Sequence, residues 1–157
     1  MVDNINRMYV FVKGYKGQAA FLLADINFNE IHKDIIESLD VNDQPYSALH
    51  SDYKAVIESL KYIRDHRGQS SIPKSPVIFI FTNTENNYEI SISTKKPRKP
   101  EVEAFKAEIG QLVRELHRST YDNNVKFIYI PKNFQYLMPS LIDFLDNSRS
   151  SDKKIKP

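Results

Sequence analysis

The sequence predicts an α/β domain in which helices cover a sheet on both faces, and three observations lead to this prediction. Residues 76–82 form an almost unbroken apolar run, which is typical of a central strand that is buried on both sides. Residues 49–63 repeat apolar side chains at the i, i+3, i+4 and i+7 positions of an amphipathic helix. Residues 8–13 are rich in β-branched and aromatic side chains, which favours a further strand.

Composition limits the kind of protein this is. The chain has 157 residues, of which 41% are hydrophobic and 27% charged, which suits one globular domain. It contains no Cys, so disulfides and thiolate metal sites are excluded. No apolar run approaches the roughly 18 residues that span a bilayer, and the first residues lack the apolar core of a secretory signal. We expect an intracellular, cytoplasmic protein with one domain over residues 1–147 and a flexible tail over residues 148–157.

Charge is unevenly distributed although the net charge is only +2. Residues 25–65 carry nine acidic and four basic side chains, a balance of −5, whereas residues 93–132 carry nine basic and five acidic, a balance of +4. Such asymmetry either orients an anionic partner against one side of the domain or is ordinary solvated surface.

The first elements are predicted from pattern and turn residues. Residues 8–13 and 18–25 are predicted to form a β-hairpin, with Gly14-Tyr15-Lys16-Gly17 as its turn. The amphipathic helix that follows is predicted to end at Gly68, with cationic residues in its last turn where the helix dipole favours them.

Residues 30–39 fit two interpretations. Ile31, Ile35, Ile36 and Leu39 make a helical stripe, whereas Ile31, Ile35 and Leu39 alone share one face of a strand because their separations are even. Periodicity slightly favours the helix. The choice therefore depends on the order of the whole set of elements.

The second half of the chain gives a helix, a strand and a further helix. Pro100 begins a helix whose apolar stripe runs to Leu116, and residues 125–130 form another core strand. Pro139 begins the last predicted helix. Residues 88–94 fit either a short strand or a helix.

Three local patterns resemble the ribonuclease H-like superfamily. Phe11-Val12-Lys13-Gly14 is similar to the first strand of that family, which ends in Asp-Gly. Residues 52–60 are similar to its first helix, which opens with Glu, and residues 78–84 are similar to the strand that ends in Thr-Asp-Ser. The resemblance implies a mixed five-stranded sheet with helices on both faces, and it makes residues 30–39 the third strand.

The same resemblance implies a degenerate catalytic site. The family binds two divalent metal ions with four carboxylates, and such ions need anionic oxygen ligands. In this chain the first three positions fall on Lys13, Asp52 and Asn83, and the fourth lies near Ser140, one turn before Asp143. Two of the three assigned positions are therefore not carboxylates, so no metal cofactor is expected.

Carboxylates elsewhere could in principle rebuild a metal site. Asp52, Glu85 and Asp143 are the candidates, with Asp25 as a further one. Glu85 lies two residues beyond Asn83 and shares its side of an extended strand. Against this stands the positive charge of Lys13, which repels a metal ion from such a group.

A basic loop is the candidate nucleic-acid contact. Four of its six residues are cationic: Lys95, Lys96, Arg98 and Lys99. Contacts to phosphates give affinity without sequence specificity. The alternative is an ordinary solvated loop.

These observations predict a pseudo-nuclease, a ribonuclease H-like domain without catalysis that binds nucleic acid or a protein partner and no membrane. The nucleic acid would be an RNA/DNA hybrid, a duplex or a single strand. The alternative is an active Mg²⁺-dependent ribonuclease that cleaves the RNA of a hybrid with a rearranged carboxylate site.

Overall fold

A computed structural model describes residues 7–37, 40–41, 43–69, 71–82, 100–116 and 125–129. These ranges contain seven strands and two helices. In chain order they are β1 Arg7–Tyr15, β2 Gln18–Ala24, β3 Glu30–Ile36, β4 Asp40–Val41, β5 Gln44–Pro45, α1 Ala48–His66, β6 Val77–Thr82, α2 Pro100–Leu116 and β7 Val125–Tyr129.

Five of the strands form one mixed sheet in the order β3-β2-β1-β6-β7. The β1–β2 and β2–β3 pairs are antiparallel, and the β1–β6 and β6–β7 pairs are parallel. The predicted mixed five-stranded sheet is thus confirmed, and so is the prediction that residues 76–82 lie inside the sheet beside the first strand. The short β4–β5 ribbon, with Asp43 at φ 64° between its strands, was not predicted.

The β1–β2 hairpin is tighter than the sequence predicted. Gly14 and Tyr15 continue β1, and Tyr15 pairs with Gln18, so only Lys16 and Gly17 form the turn. Gly17 has φ 73°, a conformation that costs glycine little, and its N–H donates to the carbonyl of Tyr46 at 2.8 Å. The hydrogen bond fixes the turn to the segment that precedes α1.

Residues 30–36 form a strand, which confirms the choice of strand over helix for that part of residues 30–39. The argument from even spacing, however, was wrong. A β-bulge between Leu23 and Ala24 places an extra residue, Ile31, in β3. Ile31 therefore packs with Ile36 against the core on one face, while Ile35 packs on the other. Because one residue is inserted, the residues that precede the bulge in β3 lie on the opposite face from the one that strict alternation predicts.

The main core lies between one face of the sheet and both described helices. α1 contributes Val56, Ile57, Leu60 and Ile63 to it, and all four are fully buried. α2 contributes Ile109, Leu112 and Leu116. We call this side of the sheet the helical face.

A smaller apolar cluster lies on the opposite side of the sheet, which we call the second face. Phe11, Ala20, Leu22 and Ala24 are buried there. The predicted burial of β6 on both sides is only partly correct, since Ile78 and Ile80 are fully buried on the helical face whereas Phe79 and Phe81 are half-buried on the second. The helix predicted from Pro139 lies outside the described residues, as do residues 88–94 and 148–157. Neither described helix is long and apolar enough to cross a membrane.

Candidate functional site

The site implied by the sequence lies where the end of β1 meets the start of α1. Gly14 makes this junction possible, because its backbone lies directly against the first two turns of the helix. A Cβ atom on Gly14 would lie 2.2 Å from the nitrogen of Asp52 and 2.5 Å from the carbonyl oxygen of Ala48. Only glycine permits so close an approach.

Sequence reasoning assigned Gly14 to the hairpin turn and so missed this role. A glycine inside a strand often marks a close backbone approach, and that pattern was available in the sequence. The actual turn uses Gly17, three residues later.

Asp52 is buried in the second turn of α1, with an exposed fraction of 3%. The helix begins after Ser47, whose Oγ accepts a hydrogen bond from the N–H of His50 at 3.1 Å. Asp52 thus lies close to the positive end of the helix dipole, which favours a carboxylate. Its backbone is the part of the helix that touches Gly14.

Lys13 immediately precedes Gly14 in β1 and is half-buried. Because side chains alternate along a strand, Gly14 faces α1 and Lys13 belongs to the second face. Its Nζ lies 5.8 Å from the ring centroid of Tyr15, the next residue on that face. The structure thus places a cation in β1, beside the glycine that contacts Asp52.

The third assigned position, Asn83, directly follows the end of β6 at Thr82 and lies outside the described residues. The register of β6 against β1 pairs Phe81 with Phe11. Lys13 lies two residues beyond Phe11 in β1. Glu85, Asp143, Ser140 and the basic segment of residues 95–99 also lie outside the described residues.

Asp25 does not join this group. It follows β2 at the opposite end of β1, where Ala24 pairs with Tyr9. Its Oδ1 accepts hydrogen bonds from the N–H groups of Asn27 and Asn29, both at 2.9 Å. Its carboxylate stabilises a loop, so the suggestion that it helps to rebuild a metal site is wrong.

Of the assigned ligand positions at the junction of β1 and α1, only Lys13 and Asp52 lie within the described residues. The described residues contribute one carboxylate, that of Asp52, and one ammonium group, that of Lys13. Within the described ranges no three His, Asp or Glu side chains come together as a metal site. Hard cations need several anionic or neutral oxygen ligands, and a lysine supplies none.

The fold now described, a mixed sheet in the order β3-β2-β1-β6-β7 with helices packed on it, is the ribonuclease H-like fold, and solved structures support this assignment. RNase H1 from the halophilic archaeon Halobacterium salinarum NRC-1 matches with a TM-score of 0.64 at 10% identity, covering 90% of this chain and 98% of that one. LC11-RNase H1, isolated from compost by a metagenomic approach, matches with a TM-score of 0.62 at 16% identity, covering 87% and 92%.

A second structure of LC11-RNase H1, in complex with an RNA/DNA hybrid, matches with a TM-score of 0.63 at 15% identity, covering 80% of this chain and 86% of that one. No family model and no curated protein sequence matches the chain. At sequence identities of 10%, 15% and 16%, these matches show a shared fold. The predicted ribonuclease H-like architecture is thereby confirmed.

Proposed function

We propose that this protein is a catalytically degenerate ribonuclease H-like domain that binds nucleic acid. The observation that carries the proposal is the position of Lys13, half-buried in β1 next to the glycine that packs against Asp52. The family pattern has Asp-Gly at these positions of the first strand, and this chain has Lys13-Gly14. A cation thus occupies the place of the first metal ligand.

The chemistry of phosphodiester cleavage explains why this exchange matters. Two-metal catalysis needs carboxylates that hold the ions so that they activate water and stabilise the leaving oxygen. Replacing an anionic ligand by a cation removes one ligand and adds repulsion at the same point. The remaining carboxylate, Asp52, does not hold a metal ion by itself.

Binding of nucleic acid is supported by two observations. A protein with the same fold, LC11-RNase H1, has been solved in complex with an RNA/DNA hybrid. This chain also carries four cations between residues 95 and 99, a composition suited to phosphate contacts. A protein partner is the competing binding role, and it becomes the better account if no nucleic acid binds.

A cleavage assay on an RNA/DNA hybrid with Mg²⁺ tests the proposal. We expect no turnover above background from the wild-type protein, together with measurable binding of the hybrid at low salt. Turnover that Asp52→Ala abolishes would contradict the proposal and support the alternative, a site rebuilt from Asp52, Glu85 and Asp143. Absence of both cleavage and binding would support a protein-interaction role.

A gain-of-site variant gives an independent check. A triple variant with Lys13→Asp, Asp52→Glu and Asn83→Asp restores three of the family's four carboxylates. We expect Mg²⁺ to raise the melting temperature of this triple variant, because an ion that binds only the folded state stabilises it. Without Mg²⁺ the clustered charges should lower that temperature. Lys16→Asp, an exposed change in the nearby turn, is the control, and its melting temperature should not respond to Mg²⁺.

A further inference from the structure

The second face carries a group of aromatic side chains at the end that is remote from Lys13. Tyr9 stacks on Phe28 with ring centroids 4.4 Å apart and planes inclined by 5°. Tyr9 also contacts Phe79 of the neighbouring strand, at 5.9 Å. We call Tyr9, Phe28 and Phe79 the aromatic platform.

Phe28 is the exposed member of the platform. Its exposed fraction is 61%, and the other large apolar side chains whose exposure the structure describes are buried or half-buried. One side of the ring lies on Tyr9, so the exposed area includes the opposite side. A further planar group can stack on the open side of the Phe28 ring in the way that Phe28 stacks on Tyr9.

The backbone presents this ring at a conformational cost. Phe28 has φ 64°, in the left-handed region that bulky residues seldom occupy. Its N–H donates to the carbonyl of Asp25 at 2.9 Å, and the Asp25 side chain accepts from Asn27 and Asn29. Glycine or asparagine would adopt this conformation more readily. The loop therefore holds an exposed aromatic ring where local stability alone favours another residue.

Two exposed cations flank the platform. The guanidinium of Arg7 lies 5.5 Å from the centroid of the Phe79 ring. Lys126 pairs with Phe79 in the parallel register of β6 and β7, so both side chains are on the second face. Both described helices pack on the helical face. Asp25 is the acidic residue of the β2–β3 loop, and its side chain accepts the hydrogen bonds given above. Glu30, the first residue of β3, lies 3.6 Å from the Nζ of Lys33.

We propose that the aromatic platform binds single-stranded RNA or DNA, with bases stacked on Phe28 and its neighbours and phosphates near Arg7 and Lys126. This inference rests on the proposed nucleic-acid-binding function and assigns a separate site for it. Open ring faces suit unpaired bases, since every base presents a flat face and duplex bases already stack on one another. The two cations match a phosphate backbone, which an apolar protein segment would not require.

Fluorescence anisotropy with labelled 12-nucleotide single strands and with a 12-base-pair RNA/DNA hybrid tests this site. Phe28→Leu removes the ring but keeps an apolar side chain, and Phe28→Tyr keeps the ring. We expect Phe28→Leu to weaken single-strand binding about 5- to 150-fold, as loss of one base–aromatic stack does. Phe28→Tyr should bind as the wild type does, and circular dichroism confirms that both variants are folded.

The salt dependence of the same titrations is a second readout. Lys126→Gln should lower the slope of log K against log salt by about 0.7, the value for one phosphate contact to a single strand. Arg114→Gln, on α2 and the helical face, is the matched control and should leave that slope unchanged. The Arg114 guanidinium donates a hydrogen bond to the Oε1 of Gln111 at 2.9 Å, within one turn of the same helix.

The outcomes separate the two proposals. If the wild type binds single strands and Phe28→Leu binds them equally well, the platform is not the site, although nucleic-acid binding stands. If only the hybrid binds, the platform assignment fails while the proposed function is supported. If no nucleic acid binds, both proposals fail. Loss of single-strand binding in Phe28→Leu with hybrid binding unchanged supports the platform as a distinct site.

Discussion

Gly14 has the most restrictive surroundings of the glycines in the described part of the chain. Because Gly14 has no side chain, α1 lies directly against β1. The backbone of Asp52 therefore lies next to the residue that follows Lys13. Backbone atoms of α1 form the obstacle, and they cannot move aside as a flexible side chain would. The residue thus determines both a packing distance and the geometry of the candidate site.

We expect Gly14→Ala to lower the free energy of unfolding by at least about 1–3 kcal/mol, the usual cost of forcing an added group into a packed site. Gly110→Ala, in α2, is the matched control, because a Cβ there meets the Arg114 guanidinium at an ordinary 3.6 Å. That change should raise stability by about 0.5–1 kcal/mol, since alanine is the better helix former. Urea denaturation measures both. An unaffected Gly14→Ala would contradict the contact described here.

The two described helices interact through ion pairs and through apolar contacts, and we expect the apolar contacts to contribute more to the free energy of unfolding. Lys61 of α1 lies 3.3 Å from Glu108 of α2 and 3.5 Å from Glu58 of its own helix. Partial burial lowers the pKa of Lys61, but the charges of Glu58 and Glu108 and the hydrogen bonds to them outweigh it, so the pKa lies above the ordinary 10.5. Leu112 of α2 belongs to the buried core.

Lys61→Gln should cost below about 1 kcal/mol at neutral pH, because ion pairs at the surface contribute little. Leu112→Ala should cost about 2–5 kcal/mol through the cavity that it creates. A raised folded-state pKa means that the Lys61 contribution is complete below pH 10.5 and is lost as pH rises through the folded pKa. As pH rises above 10.5, the measured stability difference between the wild type and Lys61→Gln should therefore shrink. A Lys61→Gln cost equal to that of Leu112→Ala would contradict this account.

At the scale of elements, sequence patterns found the long helices and inner strands but not the local irregularities. The stripe of α1 and the run of β6 were clear because many residues repeat one period. The bulge at Ile31 was not predictable, since a single extra residue leaves no periodic trace and in fact imitates a helical spacing. The strand was assigned correctly only because the order of elements required it.

At the scale of the molecule, the sequence predicted the five-stranded mixed sheet and its ribonuclease H-like order. In the structure, the backbone of Gly14, the residue after Lys13, lies against the backbone of Asp52. The aromatic platform was missed, because the rings come from β1, β6 and the β2–β3 loop and meet only after the sheet has formed. Local sequence shows Phe28 merely as one aromatic residue among polar ones.

The uneven charge of the whole chain leads to a further prediction. Neutralising Lys95, Lys96, Arg98 and Lys99 with Gln should weaken nucleic-acid binding alike for all sequences, because phosphate contacts do not distinguish bases. The dependence of affinity on salt should become less steep, since fewer counterions are released. The measurement is a series of binding titrations at roughly 50–200 mM salt, from which the slope of log affinity against log salt is obtained. A variant in which Arg replaces the three lysines keeps the charge and should bind nucleic acid as the wild type does. If the neutral variant also binds as the wild type does, residues 95–99 do not contact the nucleic acid.

The bulge in β3 has a consequence for self-association. β3 is the outer strand on its side of the described sheet, and such a strand offers unpaired N–H and C=O groups to the edge of another copy. The bulge breaks the regular spacing of backbone groups that edge-to-edge pairing needs. In addition, Lys33 and Asp34 are charged, and burying them against another strand would cost desolvation energy. The irregularity that misleads pattern analysis thus disfavours pairing between this edge strand and the edge strand of another copy.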